Sequence, residues 1–204
     1  MSDIDEAELH AMIQRVVQRT LGVDSAPAGP APVNPSLSPA SVPAAQPAPA
    51  VSAGKQVVAL GADHGGFEMK EAVKADLIEM GYAVIDCGTN SKEAVDYPDF
   101  ALAVAQLVSA GKAWRGIAID GAGIGSCMAA NKVAGVRAAM VHDHATAVNS
   151  REHNDANVLT LGAGLLGLNL VKQLVKTWLT TDFGGGRHAK RVDKIMAIEK
   201  QYFK

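Results

Sequence analysis

The sequence has little that would favour a disulfide-stabilised, membrane-spanning or nucleic-acid-binding protein. Two cysteines among 204 residues, Cys87 and Cys127, make neither a disulfide framework nor a metal cluster, and a reducing cytosol is the simplest setting. No apolar run approaches the roughly 20 residues that cross a membrane. With a net charge of −2 and 4% aromatic residues, no basic or aromatic-rich surface is expected. We therefore expect a cytoplasmic protein that binds neither nucleic acid nor a membrane.

The distribution of proline divides the chain into three parts. Eight of the nine prolines lie in residues 23–54, which are otherwise mostly Ala and Ser with almost no charge, as expected of a disordered linker. Before it, residues 1–22 predict a short amphipathic helix over residues 3–21, because apolar side chains recur at spacings of three and four. That stripe consists of Leu9, Met12, Ile13, Val16, Val17 and Leu21. Residues 55–204 form the third part, a globular domain.

This third part alternates between strand and helix patterns. We expect strands at residues 56–60, 83–87, 116–120, 136–141 and 157–161. Helices are expected at residues 66–80, 99–111, 126–133, 144–152, 167–181 and 187–202. Such alternation predicts an α/β fold, a three-layer αβα sandwich with a five-stranded parallel sheet, and ligands at the carboxyl ends of the strands.

A glycine-rich loop follows the third expected strand and is the strongest functional signal. The strand ends at Asp120, and Gly121, Gly123 and Gly125 follow at every second position before a helix begins. Glycines let backbone N–H groups approach a ligand, and a helix N-terminus favours negative charge. The loop thus predicts an anion site in which Asp120 acts as a carboxylate base. The alternative is a structural turn in which Asp120 caps the helix.

Two more segments carry polar groups that suit a sugar or a phosphate. Asp63 and His64 follow the first strand and could bind a hydroxyl or a phosphate, or could form a polar turn. The Tyr97 hydroxyl could form a hydrogen bond with a sugar, although a single tyrosine could also have only a packing role.

Near the C-terminus lie a possible proton carrier and a possible phosphate clamp. His153 could move a proton near neutral pH, or could be a structural residue at a helix end. Arg187 and Arg191 are four residues apart and share a helix face, which suits phosphate but also suits a solvated basic surface.

Taken together, these segments resemble the type B ribose-5-phosphate isomerase family, which also includes the galactose-6-phosphate isomerase subunits. The resemblance covers about residues 56–200. The matching segments, in order, are Gly-Ala-Asp63-His64-Gly-Gly, Asp96-Tyr97-Pro98, the glycine loop with Ala129-Ala130-Asn131-Lys132, Arg151-Glu152-His153-Asn154-Asp155-Ala156-Asn157-Val158, and Gly185-Gly186-Arg187-His188 with Arg191-Val192-Asp193.

The resemblance implies a Rossmann-like sheet and a homodimer or tetramer with active sites at the subunit interface. It implies interconversion of an aldose phosphate and a ketose phosphate without a metal or cofactor. His153 would open the sugar ring, and the backbone N–H groups of Gly121–Gly125 would stabilise an enediolate. Sugar hydroxyls or phosphate would be held by Asp63, His64, Tyr97 and Asn154. Arg187 and Arg191 of the neighbouring subunit would bind the phosphate, with His188 nearby.

Three positions depart from the family pattern. Asp120 stands where many members carry a proton-abstracting cysteine, Ala122 replaces a threonine, and Gly164 replaces an arginine near the phosphate. An Asp before the loop is similar to one of the galactose-6-phosphate isomerase subunits, and a carboxylate can serve as the base of an enediol mechanism. The resemblance favours ribose 5-phosphate as the substrate. The alternatives are a hexose phosphate, or a catalytically weak sugar-phosphate-binding or structural role.

The N-terminal part is similar to the encapsulation peptides that load enzymes into bacterial microcompartments. By this resemblance, residues 3–21 would dock in a groove of a shell protein or of other cargo, and the protein would lie in the compartment lumen. Binding to a membrane surface fits less well, because the helix has few basic and no aromatic residues. An unstructured tail is the remaining alternative.

We expect a reporter fused to residues 1–22 to co-localise with microcompartment shells, because the apolar stripe supplies the docking face. Fluorescence microscopy in shell-forming cells measures this. The Leu9→Glu variant should load poorly, because it places a charge in the stripe. A diffuse wild-type signal, or unchanged loading of the variant, would contradict the targeting hypothesis.

Overall fold

The computed structural model describes residues 55–203, which form five strands and six helices in alternation. In chain order these are β1 (Val57–Ala62), α1 (Phe67–Glu79), β2 (Ala83–Asp86), α2 (Tyr97–Ser109), β3 (Arg115–Asp120), α3 (Ile124–Ala130), β4 (Ala138–Met140), α4 (His144–Glu152), β5 (Val158–Gly162), α5 (Leu168–Thr180) and α6 (Ala189–Tyr202). The helix expected within residues 1–22 and the linker at residues 23–54 lie outside the described residues, so these boundaries stay predictions.

The five strands form one parallel sheet in the order β2-β1-β3-β5-β4. This confirms the expected five-stranded parallel sheet. From β1 the chain first builds towards β2 and then crosses back to place β3 on the other side of β1. The strand order therefore reverses between β1 and β3, which is where ligands bind in open α/β sheets.

Helices cover both faces of the sheet and enclose two apolar cores. One core lies under α1, α4 and α5, and it includes Leu77, Ile117, Leu159, Leu174 and Trp178, all nearly inaccessible to solvent. The other core lies under α2 and α3 and includes Ala59, Val104, Val108, Ala130 and Val158. The three-layer αβα arrangement is thus confirmed. In the described part of the chain, none of the helices combines the length and apolar character needed to span a membrane.

The element boundaries differ from expectation mainly at the strand ends. β1 continues to Ala62 because it is a central strand and its ladder with β3 runs on to the pairing of Ala62 with Ile119. β4 is only three residues long and lies at the sheet edge. Its outer backbone is occupied by the Asn131 side chain, which accepts from Ala138 N (2.9 Å) and donates to Ala138 O (3.0 Å). An amide side chain thus takes the place of a neighbouring strand.

Candidate active site

Asp63 lies where β1 ends, beside the glycine loop that follows β3. Its carboxylate accepts a hydrogen bond from Gly66 N (3.0 Å), and its backbone N–H donates to Ile119 O of β3 (3.3 Å). A Cβ atom added to Gly65 would lie 3.4 Å from Asp63 Oδ1 and 3.6 Å from Gly121 N. The Asp63 carboxylate and the first N–H of the loop therefore border the same small space.

His64 and Tyr97 complete this edge of the sheet. His64 Nδ1 faces the backbone of Val95, 3.1 Å from its O and 3.2 Å from its N, which leaves the other ring nitrogen without a partner in residues 55–203. Tyr97 begins α2, with Pro98 in the first turn, and its ring lies directly over Gly125, so that any side chain at position 125 would displace it. The fold thus brings together four sequence-predicted positions from three loops: Asp63, His64, Tyr97 and Gly125.

Asp120 is 4% exposed, and both of its carboxylate oxygens are engaged by the loop that follows it. Oδ1 accepts from Ala122 N (2.8 Å) and from Gly123 N. Oδ2 accepts from Ser126 N (3.0 Å) and from the Ser126 hydroxyl (2.5 Å). Gly123 adopts a positive φ of 81°, which glycine tolerates and which turns its N–H back towards the carboxylate. Asp120 therefore organises the loop, and Ser126 is a partner that the sequence pattern did not single out.

These bonds divide the N–H groups of the loop into two sets. The N–H groups of Ala122, Gly123 and Ser126 are bound to Asp120. Those of Gly121, Ile124 and Gly125 have no acceptor in the part of the chain that the structure describes. A small anion at this edge would thus meet N–H groups of this second set.

A second cluster lies around His153, at the C-terminal end of α4. Its ring stacks on that of His188, with centroids 4.1 Å apart and planes 6° from parallel. Arg187 Nε donates to His188 Nε2 (3.4 Å), and Arg191 follows one turn later on α6. Burial lowers the pKa of His188 below its ordinary value of 6.5, and the positive charges of the nearby Arg187 and Arg191 lower it further.

Two asparagines are attached to this second cluster. Asn154 Nδ2 donates to both the backbone O and Oδ1 of Asn149, each at 3.1 Å. Asn149 in turn lies 2.7 Å from His153 Nδ1. Asn154 was expected from the sequence, whereas Asn149 was missed, because an exposed polar residue on a helix is ordinarily a solvated one.

The two clusters lie at opposite edges of the sheet. Asp120 pairs with Gly162 at the end of β5, whereas His153 ends the helix that returns the chain to the start of β5 at Val158. A strand rises about 3.3 Å per residue, so the five residues of β5 separate these edges by roughly 16 Å. No hydrogen bond or ring contact within residues 55–203 connects the clusters. One chain therefore does not bring His153 and Asp120 to the same small ligand.

Among residues 55–203 there is no group of three His, Cys, Asp or Glu side chains that could hold a metal ion.

Both cysteines are unsuited to serve as ready nucleophiles. Burial raises the pKa of the Cys87 thiol to about 12 and also raises that of Cys127, so neither is ionised near neutral pH.

Comparison with known proteins identifies relatives with named activities. The sequence profile described as Ribose/Galactose Isomerase matches residues 58–195. The chain is 46% identical over 144 residues to ribose-5-phosphate isomerase B of Escherichia coli, covering 71% of this chain and 97% of that protein. It is 39% identical over 145 residues to D-erythrulose-4-phosphate isomerase of Pectobacterium atrosepticum, covering 71% of this chain and 95% of that protein. The structure of ribose-5-phosphate isomerase B from Clostridium thermocellum matches with a TM-score of 0.71 at 51% identity, covering 72% of this chain and 99% of that one.

The histidine stack predicts that the fold loses stability in acid. The pKa of His188 is lower in the folded chain than in the unfolded chain, so the unfolded chain binds the proton first as the pH falls. The free energy of unfolding should therefore decline from about pH 6.5 downwards, until the pH passes the depressed folded value. Urea unfolding from about pH 8 to pH 5 measures this decline. His188→Asn should make it shallower, and an identical slope in both proteins would contradict the assignment.

Proposed function

Because the chain belongs to the ribose/galactose isomerase family, we propose that it is a sugar-phosphate isomerase that interconverts ribose 5-phosphate and ribulose 5-phosphate. The observation that carries this proposal is the space between Asp63, Tyr97 and the unpaired N–H groups of Gly121 and Gly125. Aldose–ketose interconversion passes through an enediolate, whose negative oxygen needs fixed donors that are already in place. The N–H groups of Gly121 and Gly125 supply such donors, and Asp63, His64 and Tyr97 supply polar contacts for sugar hydroxyls.

The proposed proton carrier between C1 and C2 is Asp120. Its carboxylate is ready to accept a proton only if one of its four hydrogen bonds is given up. The Ser126 hydroxyl is the bond that can be released most easily, because it rotates about a single bond while the three backbone donors keep the loop in place. On this proposal the loop remains folded as the Ser126 hydroxyl rotates away from Oδ2, which then accepts from the substrate.

A complete site requires two copies of the chain, and we propose a homodimer or tetramer on that basis. The His153 cluster and the Asp120 cluster lie roughly 16 Å apart along β5 in one chain. A second copy could bring His153, Asn154, Arg187, His188 and Arg191 to the Asp120 edge of the first. His153 would assist ring opening there, while Arg187 and Arg191, on one face of α6, would hold the phosphate.

A different sugar phosphate is the second candidate substrate. The similarity to D-erythrulose-4-phosphate isomerase and the presence of Asp120, Ala122 and Gly164 favour a changed site, including one for a hexose phosphate. A catalytically weak binding or structural role is the third candidate.

Whichever of these functions holds, we propose that residues 3–21 make the protein microcompartment cargo, and the reporter fusion described above tests this.

The first test is formation of ribulose 5-phosphate from ribose 5-phosphate by the purified protein. Asp120→Asn should lower kcat by about 10²- to 10⁴-fold, because an amide cannot accept the proton. Ser126→Ala is the matched control, since it removes one partner of Asp120 but retains the carboxylate, and it should keep most of the activity.

Retained activity in Asp120→Asn would mean that Asp120 organises the loop but does not carry the proton. A folded wild-type protein without activity on ribose 5-phosphate would contradict the first substrate, and erythrulose 4-phosphate and galactose 6-phosphate would be assayed next. Absence of turnover on all three would favour the binding role.

Complementation tests the shared site. Asp120→Asn and His153→Asn should each be inactive alone, because every site then lacks one group. Co-expression should restore about a quarter of the wild-type activity in a dimer, since half of the dimers are mixed and each mixed dimer has one intact site. Failure of two soluble, oligomeric variants to complement each other would contradict a site built from two chains.

A further inference from the structure

The end of α4 carries a short chain of side-chain hydrogen bonds that leads to the His153 ring. Asn154 Nδ2 reaches the backbone O and the side-chain Oδ1 of Asn149, both at 3.1 Å. Asn149 Nδ2 reaches His153 Nδ1 at 2.7 Å. His153 Nε2 has no hydrogen-bond partner within the described residues, so it is the ring atom left for a ligand.

The direction of each bond in this chain follows from its first member. A backbone carbonyl can only accept, so the Asn154 atom that faces it must be the NH₂ group. The same NH₂ group faces Asn149, which must present its oxygen there and its own NH₂ group to His153. Because an NH₂ group can only donate, His153 Nδ1 must accept. The ring is therefore neutral, with its proton on Nε2.

The stacked ring of His188 is fixed in the opposite form. Arg187 Nε can only donate, so His188 Nε2 accepts and the proton lies on Nδ1. A positive charge on His188 would lie 4.1 Å from the His153 ring and close to Arg187 and Arg191, and the nearby carboxylate of Glu152 would oppose this repulsion. The two rings thus stack as neutral imidazoles with different tautomers.

We propose that Asn149 is a positioning residue that holds His153 as the neutral Nε2–H tautomer. His153 then presents a fixed hydrogen-bond donor to an oxygen of the sugar phosphate, and it does not take up a proton at that atom. This role rests on the proposed isomerase function. A neutral imidazole N–H can polarise a carbonyl without transferring its proton, because the hydrogen bond strengthens as the oxygen gains negative charge.

An asparagine at position 149 is suited to this task in a way that similar residues are not. Aspartate has nearly the same shape but can only accept, so it would require a proton on His153 Nδ1 and would leave Nε2 without one in the neutral ring. Leucine would remove the bond and leave both tautomers open. Asn149→Asp thus reverses the tautomer, whereas Asn149→Leu releases it.

Proton–nitrogen correlation spectra of the imidazole rings in the full-length protein measure the tautomer directly. The His153 signals are assigned by their loss in His153→Asn. We expect Nε2–H in the wild type near neutral pH, Nδ1–H or a doubly protonated ring in Asn149→Asp, and a mixture in Asn149→Leu. Asn169→Asp is the matched control, because it adds the same charge at an exposed position on α5 and should leave the His153 signals unchanged.

Activity supplies the second readout. Asn149→Asp should lower kcat by about 10²-fold, the usual effect of losing one donor to a developing oxyanion, while Asn169→Asp should not. A wild-type ring protonated at Nδ1, or a tautomer that does not respond to Asn149→Asp, would overturn the proposal. An Nε2–H ring that responds to Asn149 in a protein without isomerase activity would support the positioning role and count only against the proposed reaction.

Discussion

All five strands run in the same direction, and this decides where chemistry can occur in the chain. Loops that leave β1 and β3 meet at one edge of the sheet, which is where Asp63, Tyr97 and the glycine loop come together. Helices run back across the faces, so the C-terminal end of α4 lies at the other edge with His153. A chain that places reactive groups at both edges cannot use them on one small molecule. The proposed pairing of two chains would resolve this, because each could offer one edge to the other.

Within the carboxyl edge, the geometry depends on the buried carboxylate of Asp120. A charged group that is 4% exposed needs hydrogen bonds to replace water, and the loop provides three N–H groups and one hydroxyl. Those donors are then not free for a ligand, which leaves the N–H groups of Gly121, Ile124 and Gly125. Satisfying the carboxylate thus selects which part of the glycine loop can face a substrate, and it does so before any substrate binds.

Much of the fold could be read from the sequence, because strands buried on both faces are apolar throughout. The runs at residues 57–60 and 117–119 are of this kind, and the alternation with helices indicates a parallel sheet. The position of β5 between β3 and β4 could not be read, since alternation does not specify strand order. The pattern at residues 136–141 also suggested a longer β4, because hydropathy alone does not reveal that Asn131 would occupy the strand's outer edge.

The candidate site was less predictable than the fold, because its properties depend on hydrogen-bond direction. Sequence spacing placed Asp120 and the three glycines at one loop, but only backbone angles such as φ 81° at Gly123 determine which N–H groups turn inward. The role of Asn149 left no periodic signal, since the residue is exposed on a polar helix. The separation of His153 from Asp120 was deducible in principle, as α4 must end where β5 begins.

Gly164 links the loop to the choice of substrate. Its N–H donates to Gly121 O (2.9 Å), and a Cβ atom there would lie 3.0 Å from the same oxygen, so a side chain would require the loop to shift by a few tenths of an ångström. Gly121 bears one of the free N–H groups of the loop, so such a shift would also move the donor proposed for the enediolate. An arginine at position 164 would therefore require an adjustment of this loop conformation. On the proposed shared site, Arg187 and Arg191 of a second copy would supply the cations for the phosphate, and the pairing of the two chains would then set the distance between phosphate and reacting carbon.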